Sequence, residues 1–252
     1  MDKLAAGLAG RSRLDMVWLE LTTRCNLSCR HCYADSGPAA PLQGPMTPDD
    51  WRVVIGEARA LGADAVQFIG GEPTLHPHFR ALLADAVKAG VSQIEVYTNA
   101  TRLTDDLVGC LKDSGASVAA SFYAEEPQVH DAITQRPGSW ERTVAGLERA
   151  LTADIPVRIG IIETVENRTQ VPQAVAFLKR LGIHDIGIDG ERGVGRGRRQ
   201  TAGTEGEDLS QLCGRCGRRR LCITSTGAVY PCVFSRRTPL GDARRLPHSH
   251  GA

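Results

Sequence analysis

The chain has 252 residues, of which 42% are hydrophobic and 23% charged, and its formal net charge is +1. This composition is ordinary for a globular protein, and the length suits one large α/β domain with a small appendage. No apolar run approaches the roughly 18 residues that span a bilayer, and the N-terminus lacks the apolar core of a signal peptide. We therefore expect a cytoplasmic protein with no membrane partner.

Apolar, β-branched segments alternate with helical patterns along residues 16–189. The predicted strands, in chain order, are Trp18–Leu21, Ala65–Ile69, Gln93–Tyr97, Ser117–Ser121, Val157–Ile162 and Asp185–Ile188. The predicted helices are Pro48–Leu61, Pro77–Ala89, Thr104–Ser114, Trp140–Leu151 and Val171–Leu181. Regular strand–helix alternation predicts a parallel sheet with right-handed crossovers, and six such units are fewer than the eight of a closed barrel.

Three cysteines, Cys25, Cys29 and Cys32, directly follow the first predicted strand. Three thiolates on one short loop can hold three corners of a [4Fe–4S] cluster and leave the fourth iron without a protein ligand. Zinc sites also use closely spaced cysteines, so the spacing alone leaves both metals open. Disulfides are not expected, because they belong mainly to small secreted domains. Cys110 lies alone in a predicted helix and is interpreted as buried packing.

Polar and glycine residues follow the next three predicted strands. Gly70 and Gly71 allow a close approach of the backbone to a ligand, and Glu72, before Pro73, can accept a hydrogen bond from an ammonium group. A small polar residue lies at the end of each of the following two strands. Asn99 comes shortly after the third strand, and Ser121 is the last residue of the fourth. Such residues bind ligands at the carboxyl ends of parallel strands, but they also cap helices, and both interpretations stay open.

The cysteine triad together with Gly70-Gly71-Glu72-Pro73 resembles the radical SAM superfamily. The resemblance implies a partial (β/α)6 TIM-type barrel over residues 16–189, a catalytic [4Fe–4S] cluster on Cys25, Cys29 and Cys32, and S-adenosylmethionine chelated to the open iron. It further implies reductive cleavage of this cofactor to a 5′-deoxyadenosyl radical that abstracts hydrogen from a substrate. The residues that it implies for cofactor binding are Gly70, Gly71, Glu72, Pro73, Asn99, Ser121 and, beside the adenine, His31. No catalytic residue is assigned.

A second cysteine group comprises Cys213, Cys216, Cys222 and Cys232. Four thiolates at these spacings can bind zinc or an iron–sulfur cluster. The group resembles a shortened SPASM/twitch module with one auxiliary [4Fe–4S] cluster, and zinc stays the alternative. The expected organisation is an N-terminal extension (1–15), the barrel (16–189), a Gly/Arg-rich linker (190–210), this module (211–240) and a disordered tail (241–252).

The resemblance favours an enzyme that modifies a peptide, as in the maturation of ribosomally made peptides. Residues 1–15 are too few for a leader-recognition domain, so either a separate leader-binding protein presents the peptide or the substrate is a small molecule. An electron donor such as a flavodoxin or ferredoxin is an expected partner. One alternative is radical tailoring of a small natural product such as a sugar or nucleoside. Another is a non-catalytic Fe–S redox sensor or binding protein. Residues 190–252 carry 12 basic and 5 acidic groups, but these arginines alternate with the cysteines, and nucleic acid is not an expected partner.

Overall fold

The computed structural model describes residues 13–199, 212 and 217–245. Within these residues, nine strands form one sheet with the spatial order β6-β5-β4-β3-β2-β1-β7-β8-β9. The strands are β1 Met16–Glu20, β2 Ala65–Ile69, β3 Gln93–Thr98, β4 Ser117–Ser121, β5 Val157–Glu163, β6 Asp185–Gly190, β7 Arg220–Ile223, β8 Ala228–Tyr230 and β9 Gly241–Asp242. The six predicted strands are thus confirmed, with shifts of one or two residues at their ends.

Helices connect the parallel strands β1 to β6. They are α1 Pro48–Ala60, α2 Phe79–Lys88, α3 Asp105–Asp113, α4 Pro127–Thr134, α5 Ser139–Thr152 and α6 Val171–Arg180. Short 3-10 helices lie at Pro73–Leu75, Gly195–Arg199 and Ala243–Arg245. Five of the six helices were predicted, and α4 was missed. None of the helices in the described ranges has the length and hydropathy needed to cross a bilayer.

The beginning of α1 follows directly from its sequence. Thr47 accepts a hydrogen bond from the Asp50 backbone N–H at 3.1 Å, and the Asp50 carboxylate accepts one from the Thr47 N–H at 2.8 Å. This reciprocal pair is a capping box, with Pro48 at the first helical position.

The beginning of α5 uses a cap from another helix. Its N-terminal flanking residue is Gly138, which has no side chain to cap the helix. The Asp131 carboxylate of α4 instead accepts hydrogen bonds from the Gly138 N–H, the Ser139 hydroxyl and the Trp140 N–H. Burial alone would raise the pKa of Asp131, but these hydrogen bonds outweigh burial and lower it.

The core lies between the sheet and its covering helices. Trp51 of α1, Phe68 of β2 and Leu147 of α5 are all fully buried in one continuous apolar cluster. Burying a large apolar side chain stabilises a fold by roughly 1.5–3 kcal/mol, so this cluster dominates the stability. β6 and β9 form the two edges of the sheet. The described strands therefore leave the barrel open, which confirms the predicted partial barrel.

The strands of the C-terminal module, residues 211–240, are continuous with the sheet of the barrel. β7 pairs in parallel with β1, with Arg220 opposite Met16 and Cys222 opposite Trp18. β8 then returns antiparallel to β7, with Tyr230 opposite Cys222. Some parts of the chain lie outside the described residues. They include the end of the linker and the start of the module (200–211 and 213–216), with the predicted ligands Cys213 and Cys216, and residues 246–252 of the tail.

Candidate active site

The three cysteines of the triad lie on the cysteine loop, residues 21–37, which follows the carboxyl end of β1. The loop is closed by backbone hydrogen bonds from Cys25 N–H to the Gly37 carbonyl at 3.2 Å and from Cys32 N–H to the Cys29 carbonyl at 3.3 Å. None of the six cysteines in the described ranges forms a disulfide. The triad therefore presents free thiols at the end of the sheet where ligands of parallel α/β folds bind.

The loop after β2 packs directly on the cysteine loop. Gly71 N–H donates to the Thr22 carbonyl at 2.7 Å, and Glu72 N–H donates to the Arg24 carbonyl at 2.8 Å. A Cβ on Gly70 would lie 2.5 Å from the Thr22 oxygen, and one on Gly71 only 2.2 Å from the Arg24 oxygen. The contact that requires glycine in this structure is therefore with the cysteine loop. The close approach of Gly70 and Gly71 to a ligand stays a prediction.

A cavity of about 550 Å³ opens beside the triad. Among the residues that line it are eight of the predicted site: Cys25, Cys29, His31, Cys32, Gly70, Gly71, Asn99 and Ser121. The structure thus brings together residues that follow or end four different strands. Glu72 and Pro73 are not part of this lining, and both are buried.

Glu72 uses its carboxylate inside the protein. It accepts hydrogen bonds from the Thr74 N–H and hydroxyl, from the Thr98 hydroxyl at 2.8 Å, and from the Asn99 N–H at 2.7 Å. Burial raises its pKa, and these hydrogen bonds act in the opposite direction. Its observed contacts tie the loop after β2 to the end of β3 and so position Asn99. The role of Glu72 in binding an ammonium group stays a prediction.

The sulfur atoms of the triad accept hydrogen bonds from nearby N–H groups. Leu27 N–H lies 3.4 Å from Cys25 Sγ, the Asn99 amide nitrogen 3.7 Å from the same sulfur, and Ser36 N–H 3.4 Å from Cys32 Sγ. Burial, with further effects from nearby acidic groups, raises the pKa of Cys25 and of Cys29 to about 12. These thiols are therefore protonated at neutral pH unless a metal displaces their protons.

The donor set fits an iron–sulfur cluster better than a single zinc ion. Zinc–sulfur bonds of about 2.3 Å in a tetrahedron require sulfurs within about 4 Å of one another. No three His, Cys, Asp or Glu side chains in the described part of the chain converge to hold one ion in this way. In a cubane cluster each thiolate binds a different iron, so the sulfurs lie farther apart, and N–H···S hydrogen bonds are among the features that tune such clusters.

His31 lies in the cavity wall with an unsatisfied nitrogen. Its ring centroid is 5.1 Å from that of Tyr123, in an edge-on arrangement. Burial lowers the pKa of His31 to about 4, so the ring is neutral at pH 7. Its Nδ1 is buried without a hydrogen-bond partner in the described structure. An orphaned polar atom of this kind fits a cavity that is completed by a bound polar group.

A polar cluster that was not predicted from the sequence lies deeper in the cavity. Arg158 of β5 forms two hydrogen bonds of 2.7 Å with the carboxylate of Glu95 in β3, and the Gln67 amide of β2 donates to the same carboxylate. The available signal was a charged or amide residue inside each of these otherwise apolar strands. In a strand such a residue must face solvent or a cavity, and here all three line the cavity.

The C-terminal module touches the cysteine loop through aromatic and basic side chains. The Phe234 ring is 5.5 Å from the ring of Tyr33, the residue after Cys32, and the Arg236 guanidinium lies 5.2 Å from the Tyr33 ring. Cys222 and Cys232 are both buried nearby. Burial raises the pKa of Cys222, and the Cys232 thiol adds to the effect, while Ser235 N–H lies 3.2 Å from Cys232 Sγ. Two of the four predicted auxiliary ligands are thus close together.

Comparison with known proteins defines the class. A sequence profile of the Radical SAM superfamily matches residues 19–178. The chain is 31% identical over 164 residues to an AdoMet-dependent heme synthase of Methanosarcina barkeri, covering 65% of this chain and 46% of the relative. It is 30% identical over 184 residues to the mycofactocin maturase MftC of Mycobacterium tuberculosis, covering 72% and 46%. The chain thus spans about half the length of these curated relatives.

The fold is also found in solved structures. Streptococcus suis SuiB bound to its precursor peptide SuiA superposes with a TM-score of 0.75 at 16% sequence identity, covering 97% of this chain and 66% of SuiB. At this identity the likeness concerns the fold alone. The profile match extends over most of the barrel, and the chain therefore belongs to the radical SAM superfamily. Membership implies a [4Fe–4S] cluster and S-adenosylmethionine as cofactors.

Proposed function

We propose that this chain is a radical S-adenosylmethionine enzyme that modifies a peptide by hydrogen abstraction, as in the maturation of ribosomally made peptides. The observation that carries the proposal is the shared cavity: the three thiols, both glycines of the loop after β2, Asn99 and Ser121 line the same space. Its volume of about 550 Å³ lies within the range of roughly 300–1,000 Å³ that is usual for small-molecule sites.

In this proposal Cys25, Cys29 and Cys32 hold the catalytic cluster. When bound, the cluster and S-adenosylmethionine supply a one-electron cleavage that yields a 5′-deoxyadenosyl radical. The backbone N–H groups of Leu27 and Ser36 and the Asn99 amide donate hydrogen bonds to the thiolates and offset part of their negative charge.

The cofactor-binding residues act mainly by position. Asn99 is held from both sides, because its backbone N–H is bound by Glu72 and its amide donates to Asn26 Oδ1 at 2.9 Å. The Ser121 hydroxyl donates a hydrogen bond to the Tyr97 hydroxyl at 3.3 Å. This bond orients the side chain of Ser121, the last residue of β4, in the cavity wall. Together with Gly70, Gly71 and His31, these residues are proposed to hold the S-adenosylmethionine, with Glu72 and Pro73 supporting them from behind.

A peptide substrate is supported by two of the comparisons. SuiB, of similar fold, was solved with a precursor peptide, and MftC is named a maturase. The proposal includes an electron donor such as a flavodoxin or ferredoxin and a separate leader-binding protein. A small-molecule substrate is the second candidate, because a heme synthase is 31% identical to this chain. Products from a precursor peptide and from small molecules distinguish the two candidates.

The second cysteine group is proposed to hold an auxiliary [4Fe–4S] cluster in a shortened SPASM/twitch-like module. Its support is the burial of both Cys222 and Cys232, the electrostatic effect of the Cys232 thiol on Cys222, and the hydrogen bond to Cys232 Sγ. Cys213 and Cys216 would supply the other two ligands. Protein purified without oxygen should carry about eight irons, as expected for two cubane clusters. About four irons with stoichiometric zinc would overturn the auxiliary assignment.

The activity is tested with dithionite-reduced, iron-loaded protein and S-adenosylmethionine, by measuring 5′-deoxyadenosine. Wild-type protein should form it, and Cys29→Ala should abolish it. Cys110→Ala is the matched control, because Cys110 lies in α3 and packs against the core away from the cavity. Absence of 5′-deoxyadenosine from the wild type, with candidate peptides present, would contradict the proposal and favour a redox sensor or binding protein.

A further inference from the structure

The cavity has a second end, distant from the triad. Arg220, at the start of β7, lines the cavity and lies opposite Met16, the first residue of β1. The cysteine loop begins after Glu20, at the other end of β1. A strand advances about 3.3 Å per residue, so Arg220 lies about 13 Å along the sheet from the end of β1. The cavity therefore reaches from the cysteines toward the amino ends of the strands.

The floor of this second end is a row of side chains in register. Trp18 of β1 pairs with Gln67 of β2, and Gln67 pairs with Glu95 of β3. In a parallel sheet, paired residues point to the same face, and all three line the cavity. This floor places the polar side chains of Gln67 and Glu95 beside the ring of Trp18, and it therefore fits a polar part of a ligand.

The charges of the described residues in the cavity lining do not balance. Among these residues the lining contains one carboxylate, Glu95, and three arginines, Arg158, Arg192 and Arg220. Glu95 is bound by Arg158 in a two-bond pair, and Arg192 is paired with Asp189. His31 and His130 also line the cavity, but burial lowers the pKa of each to about 4, so both are neutral.

Arg220 is the arginine of this lining that has no carboxylate partner within the described structure. Its guanidinium carbon is 6.0 Å from the centroid of the Trp18 ring, at the limit of a cation–π contact. Asp15, just before β1, is already paired with Arg219 at 2.6 Å. The guanidinium thus keeps its fork of donors for a ligand and is held by an aromatic face.

We propose that Arg220, supported by Trp18, binds a carboxylate of the substrate at this second end of the cavity. The inference rests on the proposed function and adds the chemical class of the substrate, a peptide or small molecule with an acidic group. The carboxylate of S-adenosylmethionine is not this group, because a cofactor bound to a cluster on Cys25, Cys29 and Cys32 would keep its carboxylate at the cysteine end of the cavity. Arg220 is then a specificity-determining residue that holds the substrate across the floor formed by Gln67 and Glu95.

The test uses iron-loaded protein and equilibrium dialysis with radiolabelled glutarate, a small dicarboxylate. Glutaramide, its uncharged counterpart, serves as the competitor that should fail to displace it. Arg220→Gln should weaken glutarate binding by about 10- to 100-fold, as expected for loss of a charge-assisted hydrogen-bonded pair. Arg220→Lys should give an intermediate value, since it keeps the charge and loses the two-pronged geometry. Arg218→Gln, which removes the same charge from a residue that is exposed like Arg220 but lies outside the cavity lining, should bind like wild type.

The proposal is overturned if wild-type protein does not bind glutarate, if glutaramide competes equally well, or if Arg220→Gln binds as wild type does. Displacement by inorganic phosphate at much lower concentration than by unlabelled glutarate would also contradict the carboxylate assignment and indicate a phosphate. Because dialysis does not depend on cofactor cleavage, glutarate binding without 5′-deoxyadenosine formation would refute only the proposed function. Cleavage without glutarate binding would refute only this site.

Discussion

Arg236, from the segment after β8, forms an ion pair with Glu20, the last residue of β1, with a hydrogen bond of 2.9 Å from one guanidinium nitrogen. The Glu20 side chain is 7% exposed and that of Arg236 is 21% exposed. The pair lies where β1 leads into the cysteine loop, and Arg236 also faces the Tyr33 ring of that loop. The C-terminal module is therefore joined by a buried charge pair to the strand that leads into the cysteine loop.

Glu20→Gln should destabilise the protein by about 3 kcal/mol, because it leaves the Arg236 charge largely buried without its carboxylate. The free energy of unfolding is measured by urea denaturation followed by tryptophan fluorescence. The double variant Glu20→Gln/Arg236→Leu removes both charges and should recover part of the loss. A single-variant loss below about 1 kcal/mol, the value typical of exposed pairs, would contradict a buried ion pair.

Gly71→Ala should separate the loop after β2 from the cysteine loop, since its Cβ would lie 2.2 Å from the Arg24 carbonyl oxygen. We expect fewer irons per chain and slower formation of 5′-deoxyadenosine, measured on protein purified without oxygen. The control is Gly109→Ala in α3, where an added Cβ meets nothing within 4 Å. Equal iron content and activity of the two variants would show that the close contact at Gly71 is not needed.

Asp131→Ala should destabilise the protein by about 1–2 kcal/mol, because it removes the acceptor that caps the start of α5. The change is measured as a shift of the urea midpoint at pH 7. Asp113→Ala at the exposed end of α3 replaces the same residue type without removing a cap and should have little effect. Similar midpoints for both variants would rule out the cross-helix cap.

His130 should make stability depend on pH. It is 1% exposed, and burial lowers its pKa to about 4, below the value of 6.5 expected for the unfolded chain. Between these two values the unfolded state binds the extra proton, so stability falls as the pH is lowered from 6.5 toward 4.

Between pH 7 and pH 5.5 this residue should account for about 1 kcal/mol of lost stability. His130→Gln should reduce the difference between the two pH values by that amount, measured by urea unfolding. The exposed His184→Gln should leave the difference unchanged. If His130→Gln loses as much stability between the two pH values as wild type does, His130 is not buried in its neutral form.

Much of the barrel could be predicted, because its strands and helices are encoded locally. Ala65–Ile69 and Ser117–Ser121 were predicted with the same bounds that the structure gives. The first is a short apolar run between Asp64 and Gly70, and in the second a short apolar run lies between Ser117 and Ser121. α4 was missed although its first residue is Pro127, a favourable residue at the start of a helix, because eight residues are too few to show a helical pattern of apolar residues.

The relationships that were not predicted are pairings between distant segments. Nothing local shows that Arg220–Ile223 lies beside β1, since parallel pairing depends on the whole sheet. In the same way, the sequence shows two glycines after β2 but not that their neighbour is the Thr22–Arg24 backbone. The lining residues that follow or end a strand, such as Asn99 and Ser121, could be predicted from the sequence. Glu95 and Arg158, which pair across strands, could not.

The most direct measurement of the central claim is Mössbauer spectroscopy of ⁵⁷Fe-loaded protein with and without S-adenosylmethionine. If Cys25, Cys29 and Cys32 hold a cluster with one iron free of protein ligands, adding the cofactor should change the signal of one iron in that cluster. Protein without iron, or a spectrum that S-adenosylmethionine leaves unaltered, would contradict the account.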